Sequence, residues 1–315
     1  MLTNARQAIL QICLMLVTLV VFGQGPAKAR APTHLNFELY YRAAQLAEQA
    51  YDSKSKIMAS HAPGTVWVST PGKTNVQYVL LYDDSRKRQI IAVRGTVDDT
   101  NWKLDRDRRG VRDGRSGILL HRGFSRAADA IFNDLKPRLK PGYTTYLTGH
   151  SLGGAVAAIL GIYLWDDQVR VGGIITFGQP KFTNVEGAKA YASLPILRMV
   201  YQNDTVSLLP TETSKSRQRF VHVGSVINLL SGPYYAYGTM RQALQFDLQP
   251  FGKFLFQVSL PDHKMKWYLQ GLRDKLDGAI QVRFQDRNRH IVRHKYGSGT
   301  DTVAPRRQYN FNNHK

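Results

Sequence analysis

Length, composition and charge narrow the classes of protein to which this chain can belong. Its 315 residues, 43% of them hydrophobic, suffice to bury a sizeable core, and a single α/β domain of this size is ordinary. The single cysteine excludes an intrachain disulfide, and the net charge of +20 favours anionic partners over cationic ones.

The N-terminal segment has the pattern of a targeting sequence. Residues 8–22, AILQICLMLVTLVVF, are apolar and uncharged, and Ala27 and Ala29 fit the small-x-small cleavage pattern. A bilayer-spanning helix needs about 20 apolar residues, and this run is shorter. We therefore predict a signal peptide over residues 1–29, rather than a retained membrane anchor, and a secreted or periplasmic protein. Cys13 lies in this run, so the mature chain would have no thiol nucleophile and no cysteine-ligated metal.

The remaining chain alternates helical and extended patterns. A helix is predicted first, over residues 36–51, because its apolar residues recur at spacings of three and four. In chain order there follow the strands TVWVST, VQYVLLYD and RQIIAVRG, the helix GFSRAADAIFNDLKPRL, a strand-turn-helix stretch at residues 144–165, the strand VGGIITFG, a helix near NVEGAKAYASL, the strand ILRMVYQ, the alternating run RFVHVGSV and a helix from about Asp262 to Leu272. This alternation predicts an α/β fold with a mostly parallel central sheet flanked by helices. Residues 273–315 are polar and basic, and we predict a C-terminal extension with a flexible end.

The serine at position 151 is the candidate nucleophile. It lies in GHSLG, between the apolar TTYLT and the helical AVAAILGIYLW. A nucleophile elbow needs this order of strand, sharp turn and helix, with small residues beside the serine. The string G-x-S-x-G alone is moderately specific, but its context favours a catalytic serine over a serine in an ordinary glycine-rich turn.

A serine nucleophile needs a histidine base, and the histidine needs a carboxylate partner. In α/β hydrolases the acid and then the histidine follow the serine, and the acid lies just past a strand. Asp204 follows ILRMVYQN and meets this demand, whereas Asp166, Asp167 and Glu186 lie at helix ends.

Five histidines follow Asp204, and spacing alone leaves the choice open. His263 opens the last predicted helix after a proline-bounded loop, which favours it. Alternation in FVHVG makes His222 a structural strand residue, and the charged surroundings of the other three are typical of solvated surface histidines: His290, His294 and His314.

The negative charge that develops during attack on a carbonyl needs two backbone N–H donors. One belongs to the residue after the nucleophile, Leu152. The strand IIAVRGT runs into a loop at Thr96, which is the candidate for the second donor.

Six segments in this order resemble the class 3 lipase family, the fungal-lipase-like branch of the α/β hydrolases. They are AVRGT, LHRGF, LTGHSLGGA, TFGQPKFTN, RMVYQNDTVSLLP and DHKMKWYL. The resemblance implies an α/β-hydrolase domain over residues 30–272, with Ser151 as nucleophile, Asp204 as acid and His263 as base. It further implies that Thr96 and Leu152 form the oxyanion hole and that His121 is structural.

The resemblance also places a lid between RGT and HRGF, and this segment is mostly charged here. We therefore expect a secreted carboxylic ester hydrolase acting on lipid esters, either triacylglycerol or phospholipid, without metal or cofactor. The basic residues would contact anionic membrane or a cell-surface polymer, and no nucleic-acid partner is expected. Two alternatives stay open: an esterase for soluble or polymer-linked esters, which the polar lid favours, and a non-catalytic protein that binds anionic surfaces.

Overall fold

A computed structural model describes residues 35–96, 109–210, 219–248 and 261–291. The described residues from Asn36 onward belong to one compact unit. The predicted signal peptide, the first part of the predicted lid and residues 292–315 lie outside the described residues.

The first helix shows how local sequence starts and orients an element. Helix α1 spans Phe37–Gln49, and the Asn36 side chain caps it by accepting a hydrogen bond from Leu39 N at 2.9 Å. The predicted stripe is buried, including Phe37, Tyr40 and Ala44. The other helices are α2 Lys54–Ala59, α3 Arg122–Leu135, α4 Leu152–Asp166, α5 Val185–Ala190, α6 Met240–Asp247 and α7 Met265–Arg273.

The strands form one large sheet and one small one. They are β1 Val66–Ser69, β2 Tyr78–Asp83, β3 Arg88–Val93, β4 Gly110–Arg112, β5 Leu119–His121, β6 Thr144–His150, β7 Val171–Phe177, β8 Ile196–Tyr201, β9 Ser225–Leu229, β10 Tyr234–Gly238 and β11 Ile280–Val282. The large sheet has the order β1-β2-β3-β6-β7-β8-β9-β10-β11, and β4 pairs with β5. Strands β3, β6, β7, β8 and β9 are parallel neighbours, so the prediction of a mostly parallel sheet is correct.

Helix α4 lies close to the sheet. It is apolar on all sides and buried from Gly153 to Leu164. A Cβ atom on Gly153 would overlap the carbonyl oxygen of Val93 at the end of β3, so only glycine permits this approach. The close approach fixes the start of α4 against the ends of β3 and β6.

Two sequence predictions need correction. The run RFVHVGSV is not one strand, because β9 begins only at Ser225. Gly224, with φ of +84°, interrupts the extended chain and packs against the backbone of Ile196. The helix expected from Asp262 begins instead with a short 3-10 turn, Pro261–His263, and α7 follows at Met265.

The segment after residue 273 contributes to the sheet. Strand β11 pairs in parallel with β10, and a 3-10 turn spans Phe284–His290. The Lys275 side chain is buried and donates to the carbonyl oxygens of Leu230, Gly232 and Gly271. These contacts tie the chain after α7 to the β9–β10 hairpin.

Candidate active site

Ser151 occupies the sharp turn between β6 and α4. Its backbone has φ of 60° and ψ of −133°, outside the regions that side-chain-bearing residues ordinarily adopt. The backbone N–H of Ser151 donates to the carbonyl oxygen of Phe177 at 2.8 Å, which ties the turn to the end of β7. Among the described residues, the Ser151 hydroxyl has no hydrogen-bond partner.

Asp204 and His263 form a buried hydrogen-bonded pair. His263 Nδ1 lies 2.7 Å from Asp204 Oδ2, with side-chain exposures of 8% and 0%. Asp204 follows β8 and caps a 3-10 turn, Thr205–Leu208, by accepting from Val206 N at 2.9 Å through Oδ1. One carboxylate oxygen therefore holds the loop and the other orients the imidazole.

Two contacts connect this pair to the serine turn. Phe177, whose carbonyl oxygen accepts the hydrogen bond from Ser151 N, is followed by Gly178. Gly178 packs closely against the pair, because a Cβ atom added there would lie 2.6 Å from Asp204 Oδ2 and 2.9 Å from His263 Nδ1. The His150 ring lies 4.5 Å from the His263 ring, centroid to centroid. The structure thus brings Ser151, Asp204 and His263 into one site, at the carboxyl ends of β6, β7 and β8.

The two predicted oxyanion donors lie at the same turn. Leu152 is the first residue of α4, where backbone N–H groups lack partners within the helix. Thr96 is half-buried and follows Gly95, where a Cβ would lie 3.2 Å from Ser151 Cβ. Both chain segments are therefore next to the serine.

Three residues at the site were missed by the sequence analysis. The Tyr268 hydroxyl donates to Asp204 Oδ2 at 2.5 Å, and burial, together with that carboxylate, raises the pKa of Tyr268 well above its usual value. His150 Nε2 lies 2.6 Å from the His263 carbonyl oxygen, and the Tyr51 hydroxyl lies 2.8 Å from His150 Nδ1. Of these three residues, only His150 could have been suspected from the sequence, because it directly precedes Ser151.

The protonation of His150 follows from its surroundings. Burial and the nearby His263 lower the pKa of His150 well below its usual value, so the ring is neutral at neutral pH. A neutral ring with its proton on Nε2 donates to the His263 carbonyl and accepts from Tyr51 through Nδ1. His150 and Tyr51 therefore anchor the backbone that carries His263.

The acids that the sequence analysis set aside lie at helix ends, as predicted. Asp166 accepts from the Tyr191 hydroxyl at 2.6 Å, and Asp167 pairs with Lys136 at 2.8 Å, both at the end of α4. Glu186 lies in the first turn of α5.

The remaining described histidines also lie in other surroundings. His121 is fully buried and stacks on Phe124 at 4.0 Å between ring centroids. His222 is buried against Asp247, with Nδ1 2.9 Å from Oδ2, and His290 packs on Tyr234. His294 and His314 lie outside the described residues.

Neither a metal cluster nor a membrane-spanning helix occurs in the part of the chain that the structure describes. No three His, Cys, Asp or Glu side chains there are grouped so that they could hold a metal ion. None of the helices in the described ranges is long and apolar enough to cross a bilayer.

Part of the chain is similar in sequence to known lipases. A family model described as Lipase (class 3) matches residues 90–214. The secreted mono- and diacylglycerol lipase 1 of Fusarium solani is 29% identical over 119 residues, which are 36% of this chain and 35% of that protein. A lipase of Rhizopus niveus is 31% identical over 167 residues, which are 47% of this chain and 41% of that lipase. Residues 90–214 of this chain are therefore similar to the class 3 lipase family.

A solved fungal lipase has a similar fold. The crystal structure of the lipase from Rhizopus microsporus var. chinensis matches with a TM-score of 0.58 at 22% identity, covering 76% of this chain and 90% of that chain. The prediction of an α/β-hydrolase fold is confirmed. The chain spans only about a third of the curated Fusarium relative and two fifths of the Rhizopus niveus lipase.

The extent of the class 3 lipase match bears on the candidate residues. Thr96, Ser151, Leu152 and Asp204 lie inside the matched range, and His263 lies beyond its end. The assignment of His263 therefore depends on its hydrogen bond to Asp204 and on its place beside the serine turn.

Proposed function

We propose that this protein is a serine hydrolase that cleaves carboxylic esters of lipids through an acyl-enzyme. The observation that carries the proposal is the 2.7 Å contact between His263 Nδ1 and Asp204 Oδ2 beside the strained turn of Ser151. A serine alone is a weak nucleophile, and this arrangement supplies both the base and the carboxylate that orients it.

In the first half of the reaction, His263 Nε2 takes the proton from the Ser151 hydroxyl as Oγ attacks the ester carbonyl carbon. The carbonyl π electrons move to oxygen, and the N–H groups of Leu152 and Thr96 stabilise the resulting oxyanion. Collapse of this intermediate breaks the bond to the alcohol, which leaves with the proton from His263.

In the second half, water attacks the acyl-enzyme. His263 takes a proton from the water, and the same donors stabilise the second oxyanion. Collapse releases the carboxylic acid, and the proton on His263 returns to Ser151 Oγ. Asp204 keeps its negative charge throughout and stabilises the imidazolium formed in each half.

The substrate class follows from the family and the charge. Relatives named as lipases, one of them a secreted mono- and diacylglycerol lipase, support lipid esters and export of this chain through residues 1–29. The net charge of +20 supports docking to an anionic lipid surface, since each basic residue near such a surface contributes about 1 kcal/mol. Triacylglycerol and phospholipid are the proposed substrates.

The first test replaces the proposed nucleophile. We expect Ser151→Ala to lower ester hydrolysis by about 10³-fold or more, because the remaining groups have no nucleophile to activate. The measurement follows hydrolysis of esters from soluble short-chain to emulsified long-chain forms. Ser55→Ala, an exposed serine at the start of α2, is the matched control and should leave the rate unchanged.

The same ester series separates the alternatives. Serine-dependent activity that rises when the substrate forms an interface supports a lipase. Activity confined to dissolved short-chain esters would make the protein an esterase. Full activity in Ser151→Ala would contradict the mechanism, and an inactive wild type would leave surface binding as its function.

A further inference from the structure

A cavity of about 310 Å³ lies on one face of the sheet, behind the loop that carries Asp204. Its floor is formed by residues of β8 and β9 that point to the same face, because side chains two apart in a strand share a face. Helix α6 and the turn Phe284–His290 close it from above. The floor and walls include Arg198, Val226, Asn228, Ala243, Phe246 and Phe284.

The charge on Arg198 is buried in this cavity. The residue is 3% exposed, and its Nε has no hydrogen-bond partner among the described residues. Burial lowers the pKa of Arg198 to about 10, so it still carries its charge at neutral pH. Asp247 interacts electrostatically with Arg198, but no hydrogen bond satisfies Nε. An unsatisfied buried donor is costly, so a hydrogen-bond acceptor in the cavity would stabilise the protein.

Two acidic residues, Asp204 and Asp247, line the cavity, and both carboxylates already have hydrogen-bond partners. Asp247 accepts from both the backbone N–H and Nδ1 of His222, each at 2.9 Å, and lies 4.0 Å from Lys181 Nζ. Asp204 accepts from Val206, His263 and Tyr268, as described above. Burial lowers the pKa of His222 to about 4, so it adds no charge at neutral pH.

A second cation borders the same cavity. The Arg287 guanidinium lies 4.7 Å from the ring centre of Phe246 and 4.3 Å from that of Phe284. Among the described residues, Arg198 and Arg287 line the cavity together with two carboxylates, Asp204 and Asp247, and Lys181 adds a third cation 4.0 Å from Asp247.

The remaining lining is partly polar, with Gln202, Thr205 and Asn228 among its residues, and partly apolar. Val200, Val226, Ala243, Phe246 and Phe284 offer hydrocarbon and ring surface next to the guanidinium groups. The volume lies at the small end of the range for small-molecule sites, which is about 300–1,000 Å³. This combination suits a ligand with one oxyanion head and a short hydrocarbon tail.

We propose that this cavity binds a carboxylate with a short alkyl chain, its head at Arg198 and its tail against Phe246 and Phe284. A carboxylate matches the planar guanidinium and can accept the hydrogen bond that Arg198 Nε lacks. The proposal does not depend on ester hydrolysis, because it concerns equilibrium binding at residues outside the proposed triad.

The test is calorimetric titration of the full-length protein with octanoate, below its micelle concentration and at neutral pH. We expect saturable binding to the wild type and at least tenfold weaker binding to Arg198→Gln. Ala243→Leu fills the cavity without altering its charge, and we expect the same loss, so the proposal stays testable if Arg198→Gln does not fold. Arg283→Gln, at an exposed arginine just before the Phe284–His290 turn, should bind as the wild type does.

Two further ligands identify the chemistry. Octanol has the same tail without the charge and should bind at least tenfold more weakly than octanoate. Inorganic phosphate has charge without a tail and should also bind more weakly. The proposal would be overturned if the wild type did not bind octanoate, or if Ala243→Leu bound octanoate as tightly as the wild type does. It would also be overturned if octanol or phosphate bound as tightly as octanoate or more tightly.

Discussion

At the scale of single residues, the candidate site is held by buried hydrogen bonds that surround the proposed triad. Asp204 receives hydrogen bonds at both carboxylate oxygens, and His263 is fixed at its ring by Asp204 and at its carbonyl by His150. Such supporting contacts fix the orientation of an imidazole before substrate arrives, which is where much of the catalytic benefit of a triad lies.

Tyr268 is the supporting residue with the most direct test. We expect Tyr268→Phe to lower kcat about tenfold with little change in KM, because Asp204 Oδ2 loses a donor at 2.5 Å while the ring packing remains. Steady-state kinetics on a soluble ester measures both constants. Tyr237→Phe removes a hydroxyl bonded to Ser225 and is the control. An unchanged kcat in Tyr268→Phe would assign this hydroxyl a purely structural role.

Residues of the candidate site that belong to local sequence patterns could be predicted from the sequence. Residues that meet only through long-range contacts could not. Ser151, Asp204 and Leu152 follow from local patterns, namely a strand, a turn and a helix start. Tyr51 could not be found this way, because its partner His150 is 99 residues away and only the folded chain brings the two together. The position of His263 at the start of a predicted helix favoured it over four other histidines, and the resemblance of its segment to a family motif strengthened that choice.

At the scale of elements, turns carry the candidate site and also hold buried hydrogen bonds that connect one element to another. The turn after β4 is one example, since Asp113 accepts hydrogen bonds there from Ser116, Ser125 and Tyr163. Burial raises the pKa of Asp113, but these hydrogen bonds outweigh burial and lower its pKa. The carboxylate links the β4–β5 hairpin to α3 and α4.

The lowered pKa of Asp113 predicts how stability changes with pH. The folded state binds this proton less tightly than the unfolded state, so the stabilisation is complete above the usual pKa near 4 and is lost as pH falls through the folded pKa. We expect Asp113→Asn to lower the free energy of unfolding by about 2 kcal/mol at pH 7, and by less at pH 3.

Urea unfolding at the two pH values measures this difference. Asp129→Asn, which alters an exposed pair with Arg115, should change the free energy of unfolding by only about 0.5 kcal/mol. An equal loss for Asp113→Asn at both pH values would show that its ionisation does not stabilise the fold.

The elements also show where sequence patterns mislead. The alternation in RFVHVGSV predicts a strand, but Gly224 at positive φ separates His222 from β9. The sequence analysis did not predict β10 or α6, although α6 begins with a capping box formed by Thr239 and Gln242. This local signal could have located the helix.

At the scale of the whole molecule, the parallel strands place separate sequence segments at one edge. Ser151 follows β6, Gly178 follows β7 and Asp204 follows β8. The carboxyl ends of these parallel strands lie at the same edge of the sheet. The order of the motifs therefore predicts that these segments meet, whereas strand β11 and the cavity behind Asp204 depend on the long-range packing of residues 280–291.

The central claim is that Ser151 is a nucleophile activated by His263, and labelling with a fluorophosphonate tests it most directly. Attack by Ser151 Oγ on phosphorus forms a Ser–O–P bond and expels fluoride, while His263 takes the hydroxyl proton. Peptide mass spectrometry of the full-length protein should locate the label on Ser151, at a rate at least 10²-fold lower in His263→Gln. A label on another residue, no label at all, or an unchanged rate in His263→Gln would contradict the account.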